Sequence, residues 1–495
     1  MNKGQIVKLT IEDMSAEGQG IGRDEESGVV VFVPGAVPGD TVHAELTKVK
    51  KNYAFSKLIE IETASEYRTE ELCSYRNGET AAGAACGGCP YGTLEYGAQL
   101  GVKENQVRNK LERLAGIQFA DDEAVFNSIV GAEAPYNYRN KAVMPISTGG
   151  FMTRKGGIQE PVHEPRIGFR PGKSNDVINC EDCWLQAPTA MAAAQATRRY
   201  MLEDHIVSYD ERWEKGLMHG MTVKTAFGTG EVMVIYDING KGMPDAAKLI
   251  EYLDDAIYEA GGSLESVIIR TGKSDKSKTE VLAGKPTITD LIEIETAEGV
   301  REFSFEISAE SFYQVNPVQM QNLYGVVRNY CERAAWSLEE KPVILDLYCG
   351  IGTIGLCMAD LADEVHGIEI VKEAVVDANR NATINGIVNA TYECGKAEEL
   401  IPKWLEEGNR ADIAILDPPR AGCRPELLEA IAKAEIESII YVSCDPATLA
   451  RDVKLLSEGA AEGGARYELM EVTPVDMFPH TAHVECVVLM SRVNK

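Results

Sequence analysis

The sequence predicts a multi-domain chain: a small N-terminal β-barrel of OB-like type, a central α+β domain that carries a cysteine cluster, and a C-terminal α/β domain of Rossmann-like type. Three observations predict it. Short β-branched runs broken by Gly, Pro and Asp fill residues 1–62. Five cysteines fall in two groups between residues 73 and 183, and from Pro342 onward apolar strands alternate with helical patterns around a Gly-rich turn. At 495 residues, 44% hydrophobic and 25% charged, the chain exceeds the roughly 250–300 residues at which single cores stop growing. The expected domains are 1–62, 63–300 and 301–495.

The first segment runs GQIVKLTIEDM, Gly-rich turns through EGQGIGR, GVVVFVPGAVPGDTVHAEL and FSKLIEIE, which is the pattern of a small barrel. KVKKNYAFSK, Lys48 to Lys57, interleaves basic residues with Tyr53 and Phe55, as a base-stacking and phosphate-tracking surface would; a solvated hairpin with two aromatics in the core has the same pattern. The GQG and VPGAVPGD features make this segment resemble a TRAM domain, an RNA-binding OB-like barrel. Net charge is −28, which excludes nonspecific binding of polyanions by bulk charge. The window 136–175 reverses the average, with seven Lys or Arg (Arg139, Lys141, Arg154, Lys155, Arg166, Arg170, Lys173) against two Glu.

No apolar run approaches the ~18 residues of a membrane span, and the opening MNKGQIVKLTIEDM is mixed and strand-like rather than a leader. A cytoplasmic protein is therefore expected, without membrane association or an obligate protein partner, and acting as a monomer. Twelve cysteines without an export signal point to reduced thiols, metal ligands or catalysis. Cys73, then Cys86-Gly-Gly-Cys89-Pro90, then Cys180 and Cys183 in NCEDCWLQAP form one candidate set. Ligand chemistry leaves three alternatives open here: structural zinc, an iron–sulfur cluster, or buried free thiols.

After the cysteine pair, GTLEYGAQLGVKENQVRNKLERLAG spaces Leu100, Val107, Leu111 and Leu114 as one amphipathic helix would. Residues 132–180 are β-rich. The helical PTAMAAAQATRRYMLEDHI follows, then strands around a helix near 246–260, with Lys273, Lys276 and Lys278 expected in an exposed loop. FEISAESFYQVNPVQMQNLYGVVRNYC then leads from a strand into a helix whose start carries Gln314, Asn316 and Gln319. Such polar clusters cap helices, and can also reach a ligand.

VILDLYCGIGTIGLCMA places a strand before glycines Gly350, Gly352 and Gly355, and EVHGIEI ends a second strand in Glu369, where an acidic side chain can accept from ribose hydroxyls. A nicotinamide-binding domain shares that outline. The D-x-x-C-G-x-G-T form of the turn and the later Asp417-Pro418-Pro419-Arg420 favour a methyl-donor site instead. SIIYVSCDP puts Cys444 at a strand end, and FPHTAHVECVVLM supplies His480, His483 and Glu485. A thiol beside a methyl donor points to covalent catalysis. Carbon 5 of a pyrimidine becomes nucleophilic once a thiolate adds to carbon 6, and its proton then needs a base, with Glu485 preferred and a histidine as fallback.

FYQVNPVQ, DLYCGIGTIGL, HGIEI, LDPPRAG, YVSCDP and FPHTAHVECVVLM occur in one order, and together they resemble the RNA uracil-5 methyltransferase family over essentially the whole chain. The nearest branch is the bacterial 23S ribosomal RNA enzymes that carry a TRAM domain and an iron–sulfur cluster. The resemblance implies an S-adenosylmethionine-dependent methyltransferase domain in which Cys444 is the nucleophile and Glu485 the base, with Gln314, Tyr348, Glu369 and Asp417 contacting S-adenosyl-L-methionine. It implies that Cys73, Cys86, Cys89 and Cys183 hold a 4Fe-4S cluster, with Cys180 an extra, and that the helical segment 91–130 packs on the catalytic domain. The twelve residues between Cys73 and Cys86 exceed the family's expected gap, as an insertion would. The implied substrate is uridine in 23S rRNA. Transfer-RNA uridine, RNA cytosine-5 methylation and a non-catalytic RNA-binding module are the alternatives, and intact Cys444, Asp417 and Glu485 speak against the last.

Overall fold

A computed structural model describes residues 1–15, 17–70, 73–76, 85–119, 124–149, 151–153, 159–161, 163–171, 175–272, 278–336 and 338–493. The inserted gap before Cys86 falls largely outside these residues, as do Arg154, Lys155, Lys173, Lys273 and Lys276.

Strands β1 (Ile6–Met14), β2 (Gln19–Arg23), β3 (Val30–Pro34), β4 (Thr41–Val49) and β5 (Tyr53–Thr63) close a barrel in the order β1-β2-β3-β5-β4. Closure follows from strict alternation: Val7, Leu9 and Ile11 point inward while their neighbours face solvent. The VPGD turn is fixed by Asp40, fully buried, which accepts from the Val37 N–H at 2.8 Å and the Ser65 N–H at 2.9 Å and pairs with Arg68. Phe32, Tyr53 and Phe55 form one ring cluster, with Tyr53 exposed.

Helix α1 (Tyr96–Lys110) continues into a π-helical turn, Leu111–Ala115, and is followed by the short strand β6 (Val125–Phe126). The expected apolar face is only half correct. Val107 and Leu111 are buried against the C-terminal sheet, but Leu114 is exposed, and the face turned inward also carries the fully buried Gln99 and Lys103. Those polar groups are bonded to the segment before the final strand, so the helix packs by hydrogen bonds where the pattern predicts hydrophobic contact.

The central sheet has the order β11-β10-β7-β12-β13-β14-β15, from β7 (Lys141–Ser147), β10 (Arg166–Phe169), β11 (Ile178–Asn179), β12 (Met218–Thr225), β13 (Glu231–Ile238), β14 (Ser263–Thr271) and β15 (Lys278–Gly284); β8 (Phe151–Thr153) and β9 (Gln159–Pro161) form a separate hairpin. Helices α2 (Pro188–Glu203) and α3 (Ala246–Glu259) pack together and contribute to its core. The β16 (Thr287–Thr296) and β17 (Gly299–Ser308) hairpin spans residue 300, and residues of both strands join the core of the C-terminal half.

After α4 (Pro317–Ala335), the C-terminal half alternates β18 (Val343–Leu347), α5 (Thr353–Met358), β19 (Glu364–Glu369), α6 (Lys372–Ile384), β20 (Ala390–Cys394), α7 (Ala397–Glu406), β21 (Ile413–Leu416), α8 (Pro425–Lys433), β22 (Ser438–Ser443) and α9 (Pro446–Glu458), then β23 (Tyr467–Val475) and β24 (Glu485–Arg492). The sheet order is β20-β19-β18-β21-β22-β24-β23-β6. The first five strands are parallel, β24 runs antiparallel to β22, and β6 adds an eighth strand from far upstream. The order reverses between β18 and β21, so a crevice is expected at the carboxyl edge beside this point.

Candidate active site

A cavity of about 640 Å³ lies at that edge. All six residues expected to bind the donor or do chemistry line it: Gln314, Tyr348, Glu369, Asp417, Cys444 and Glu485. Tyr348, Glu369, Asp417 and Cys444 each follow or end a strand of the sheet, Glu485 opens the antiparallel β24, and Gln314 precedes α4. Of the polar cluster at that helix start, Asn316 accepts from the Gln319 N–H at 3.2 Å as the N-cap and Gln319 donates to the Val130 carbonyl at 2.8 Å. Only Gln314 of the three lines the cavity, and its carbonyl is fixed by Asn140 Nδ2 at 2.9 Å.

The Gly-rich turn is built around Asp346, buried at the end of β18, whose Oδ2 accepts from the Gly355 N–H at 2.9 Å. A Cβ at Gly355 would stand 2.6 Å from that oxygen, so the helix approaches the strand only with glycine there. Tyr348 adopts φ of +64°, and its N–H donates to the Ile368 carbonyl at 3.0 Å. A left-handed tyrosine is a strained conformation of the sort concentrated at functional sites. Glu369 accepts from the Gly350 N–H at 3.1 Å and the Val371 N–H at 2.8 Å. A carboxylate has about four acceptor sites, so capacity remains for hydroxyl donors.

The SCDP turn presents its cysteine by using both flanking side chains on the backbone. Ser443 Oγ accepts from the Asp445 N–H at 3.2 Å, and Asp445 caps α9 by accepting from the N–H groups of Ala447 and Thr448 at 2.8 and 3.1 Å. Ser443 pairs with Cys486 across β22 and β24. Cys444 directly follows Ser443 and Glu485 directly precedes Cys486, and both line the cavity.

Electrostatics at this edge are dominated by burial. It pushes the Glu485 carboxyl up to about 8, with Asp417 adding to the rise and Arg420 opposing it. Asp417 is raised to about 7 by burial and by Asp346. The Cys444 thiol is raised to about 11 by burial, then by Glu485, against Arg420. Burial thus outweighs the basic Lys396, Arg420 and Arg424 on the cavity wall, and a cationic ligand would favour the ionised form of each of the three groups. The two histidines stand apart. His480 is buried with Nδ1 against Gln99 Nε2 at 3.1 Å, His483 Nε2 accepts from Arg420 at 3.2 Å, and neither lines the cavity. Burial lowers both to about 4, so they are neutral near pH 7.

A second cavity, of about 360 Å³, is lined by Cys73, Cys86, Cys89, Cys180 and Cys183 together with Arg76 and Arg139. Burial and mutual repulsion raise the thiols of Cys86, Cys89, Cys180 and Cys183, those of Cys89 and Cys180 to about 12. Among the described residues, no group of three or more His, Cys, Asp or Glu is placed to hold a metal ion. The donor set is of one chemical kind, thiols, which is the donor chemistry of a thiolate-held cluster and of a structural zinc ion alike. Arginines on the wall would offset the charge of four thiolates. Val315, next to Gln314, lines both cavities.

Several lining residues escaped the sequence reading. Lys396 and Glu398, just after β20, line the first cavity, and Phe312 and Phe478 supply apolar walls. The first pair had a findable signal, since every parallel strand of this fold delivers residues to the same edge. Among the described residues no helix is long and apolar enough to cross a membrane.

Residues 2–59 match the TRAM domain, and residues 263–493 match the tRNA (Uracil-5-)-methyltransferase family. Relatives described as uncharacterized RNA methyltransferases include one from Bacillus cereus, 37% identical over all of this chain and 98% of its own length. One from Caldanaerobacter subterraneus is 38% identical over the whole of both chains. Among solved structures, the Pyrococcus abyssi tRNA (uracil-54, C5)-methyltransferase in complex with S-adenosyl-L-homocysteine matches with a TM-score of 0.69 and 26% identity, over 98% of this chain and 99% of its own. On its matched segments, its full-length relatives and its fold, the chain belongs to the RNA uracil-5 methyltransferase family and carries a TRAM domain.

Proposed function

We propose that the protein methylates carbon 5 of uridine in 23S rRNA, using S-adenosyl-L-methionine and a transient bond between Cys444 and carbon 6. The observation that carries this reading is the cavity at the carboxyl edge, which Cys444 and Glu485 line together with the residues suited to a nucleoside-bearing donor. S-adenosylmethionine, when bound, supplies an electrophilic methyl on a cationic sulfonium. Gln314, Tyr348, Glu369 and Asp417 hold it. The Cys444 thiolate forms an S–C6 bond, and the displaced π pair makes carbon 5 nucleophilic enough to take the methyl as its bond to the sulfonium breaks, the sulfur leaving as a neutral thioether. The Glu485 carboxylate then takes the carbon 5 proton, the C6–S bond breaks, and the C5=C6 double bond and thiolate are restored.

Cys73, Cys86, Cys89 and Cys183 would hold a 4Fe-4S cluster, which would tie the segment before α1 to the segment after β11. The five thiols on one cavity support this. RNA reaches the site with the help of the barrel, whose Phe32, Tyr53 and Phe55 cluster suits base stacking.

Transfer RNA is a second reading, favoured by the end-to-end match to an archaeal tRNA enzyme. Mapping 5-methyluridine in ribosomal and transfer RNA from a strain lacking the gene separates the two. The chemistry is tested with two variants. Cys444→Ala is expected to lose methylation while binding S-adenosylmethionine normally, and Glu485→Gln to accumulate a covalent protein–RNA adduct on a denaturing gel. Turnover by Cys444→Ala, or normal activity of Glu485→Gln without adduct, overturns it.

A further inference from the structure

The segment 476–484 joins β23 to β24 and delivers Glu485. Val475 and Glu485 are register partners across these strands, so any shift of Asp476 is felt directly by the base. Asn316 Nδ2 donates to the Met477 carbonyl at 3.2 Å and Tyr138 to the Pro479 carbonyl at 2.9 Å, and a further set of side-chain anchors comes from α1, encoded more than three hundred residues upstream. Lys103 Nζ donates to Asp476 Oδ1 at 2.6 Å and to the Phe478 carbonyl at 2.9 Å, and both members of the ion pair are fully buried. Tyr96 donates to the other Asp476 oxygen at 2.9 Å. Gln99 Oε1 accepts the His480 N–H at 2.9 Å.

Tyr96, Gln99 and Lys103 recur at helical spacing, so one face of α1 is a polar seam that grips successive residues of the segment. Stability alone does not explain such a seam, because well-packed apolar side chains serve a buried interface at least as well as a buried ion pair. What the seam provides is direction. Apolar packing is non-directional, whereas two hydrogen bonds from one ammonium, to the first carboxylate and the third carbonyl of the segment, set its path. Phe478, held this way, lines the same cavity as Glu485.

We infer that Lys103, through Asp476 and the Phe478 carbonyl, is a positioning residue for proton removal from carbon 5 of the substrate. The inference rests on the covalent mechanism proposed above. It assigns Lys103 to the elimination step, in which Glu485 takes the proton and the C6–S bond breaks, and not to donor binding.

The test uses the full chain with 23S rRNA from a strain lacking the gene. Lys103→Met/Asp476→Asn removes the clamp without leaving either charge buried alone. The double variant is expected to melt near the wild type and bind S-adenosylmethionine within about twofold. Its kcat should fall by on the order of tenfold to a hundredfold, the range for a displaced catalytic group, while the steady-state level of covalent adduct rises. Lys103→Arg, which keeps the charge and donors, should recover part of the rate. Wild-type turnover and adduct level in the double variant would overturn the inference. If that variant does not fold, Gln99→Met, which frees the far end of the segment, should give the same split between rate and donor affinity, and normal turnover there overturns it. Methylation by Cys444→Ala in the same assay would instead defeat the covalent mechanism.

Discussion

The raised acidity constant of Glu485 makes stability depend on pH in an unusual direction. Unfolded, this carboxyl ionises near its ordinary 4.5; folded, burial keeps it protonated up to about 8. Between those values the native state holds a proton that the unfolded state has released, so stability falls as pH rises. Each pH unit in that window costs about 1.4 kcal/mol, giving ~2.7 kcal/mol between pH 5 and 7. Glu485→Gln has nearly the same shape and no charge to bury. The variant should therefore gain on the wild type by that amount over the interval, and the gap should level off above about 8. Asp417, held near 7, titrates in both proteins and largely cancels in the difference. For an unfolding unit of 150–250 residues, about 2–4 °C per kcal/mol converts the gain into a Tm gap that widens by ~5–10 °C. Thermal melts of the donor-free proteins at pH 5, 6, 7 and 8 measure it. A flat gap would show that the carboxyl is already ionised in the fold. A gap that closes with pH would mean that Glu485 is an ion-pair partner of Arg420, and the account of a base held neutral by burial would fail.

Two further outcomes follow from the geometry. A Cβ at Gly367 would stand 2.3 Å from the Tyr392 ring, which also abuts Gly352, so Gly367→Ala should cost about 1–3 kcal/mol and weaken donor binding by displacing the Gly-rich turn. A melt and a binding isotherm identical to wild type would contradict this. Protein prepared without oxygen should be brown with roughly four iron atoms per chain, and Cys86→Ser should lose the colour; a colourless zinc-loaded wild type refutes the cluster.

The six cavity residues were legible because each is tied to a strand end or a helix start, and this fold collects such positions at one edge. The closeness of Cys444 and Glu485 was legible from their motifs rather than from chain order, since β24 inserts between β22 and the earlier-encoded β23. The seam of α1 was not legible. Lys103 sits among Glu104, Arg108 and Lys110, and a lysine in a charged helix is ordinarily solvated; only the distant Asp476 reveals that this one is buried. β6 escaped for a similar reason, as a two-residue strand has no periodicity and exists only because β23 offers an edge. The cysteines were legible as a set, but the fifth thiol lines the same cavity as the other four, a convergence that spacing does not express.

The polar seam also bears on how the chain matures. Asn127 and Glu471, 344 residues apart, are directly bonded, so during synthesis the α1 region emerges long before the strands it completes. A wholly apolar face kept waiting that long would be an aggregation hazard, and here the buried apolar residues of the helix and its π-turn are confined to Val102, Val107 and Leu111. Lys103, Gln99 and Tyr96 are satisfied by water in the interim and desolvate only when their partners arrive. A helix interface written in hydrogen bonds is one that can be made early and closed late without becoming sticky in between.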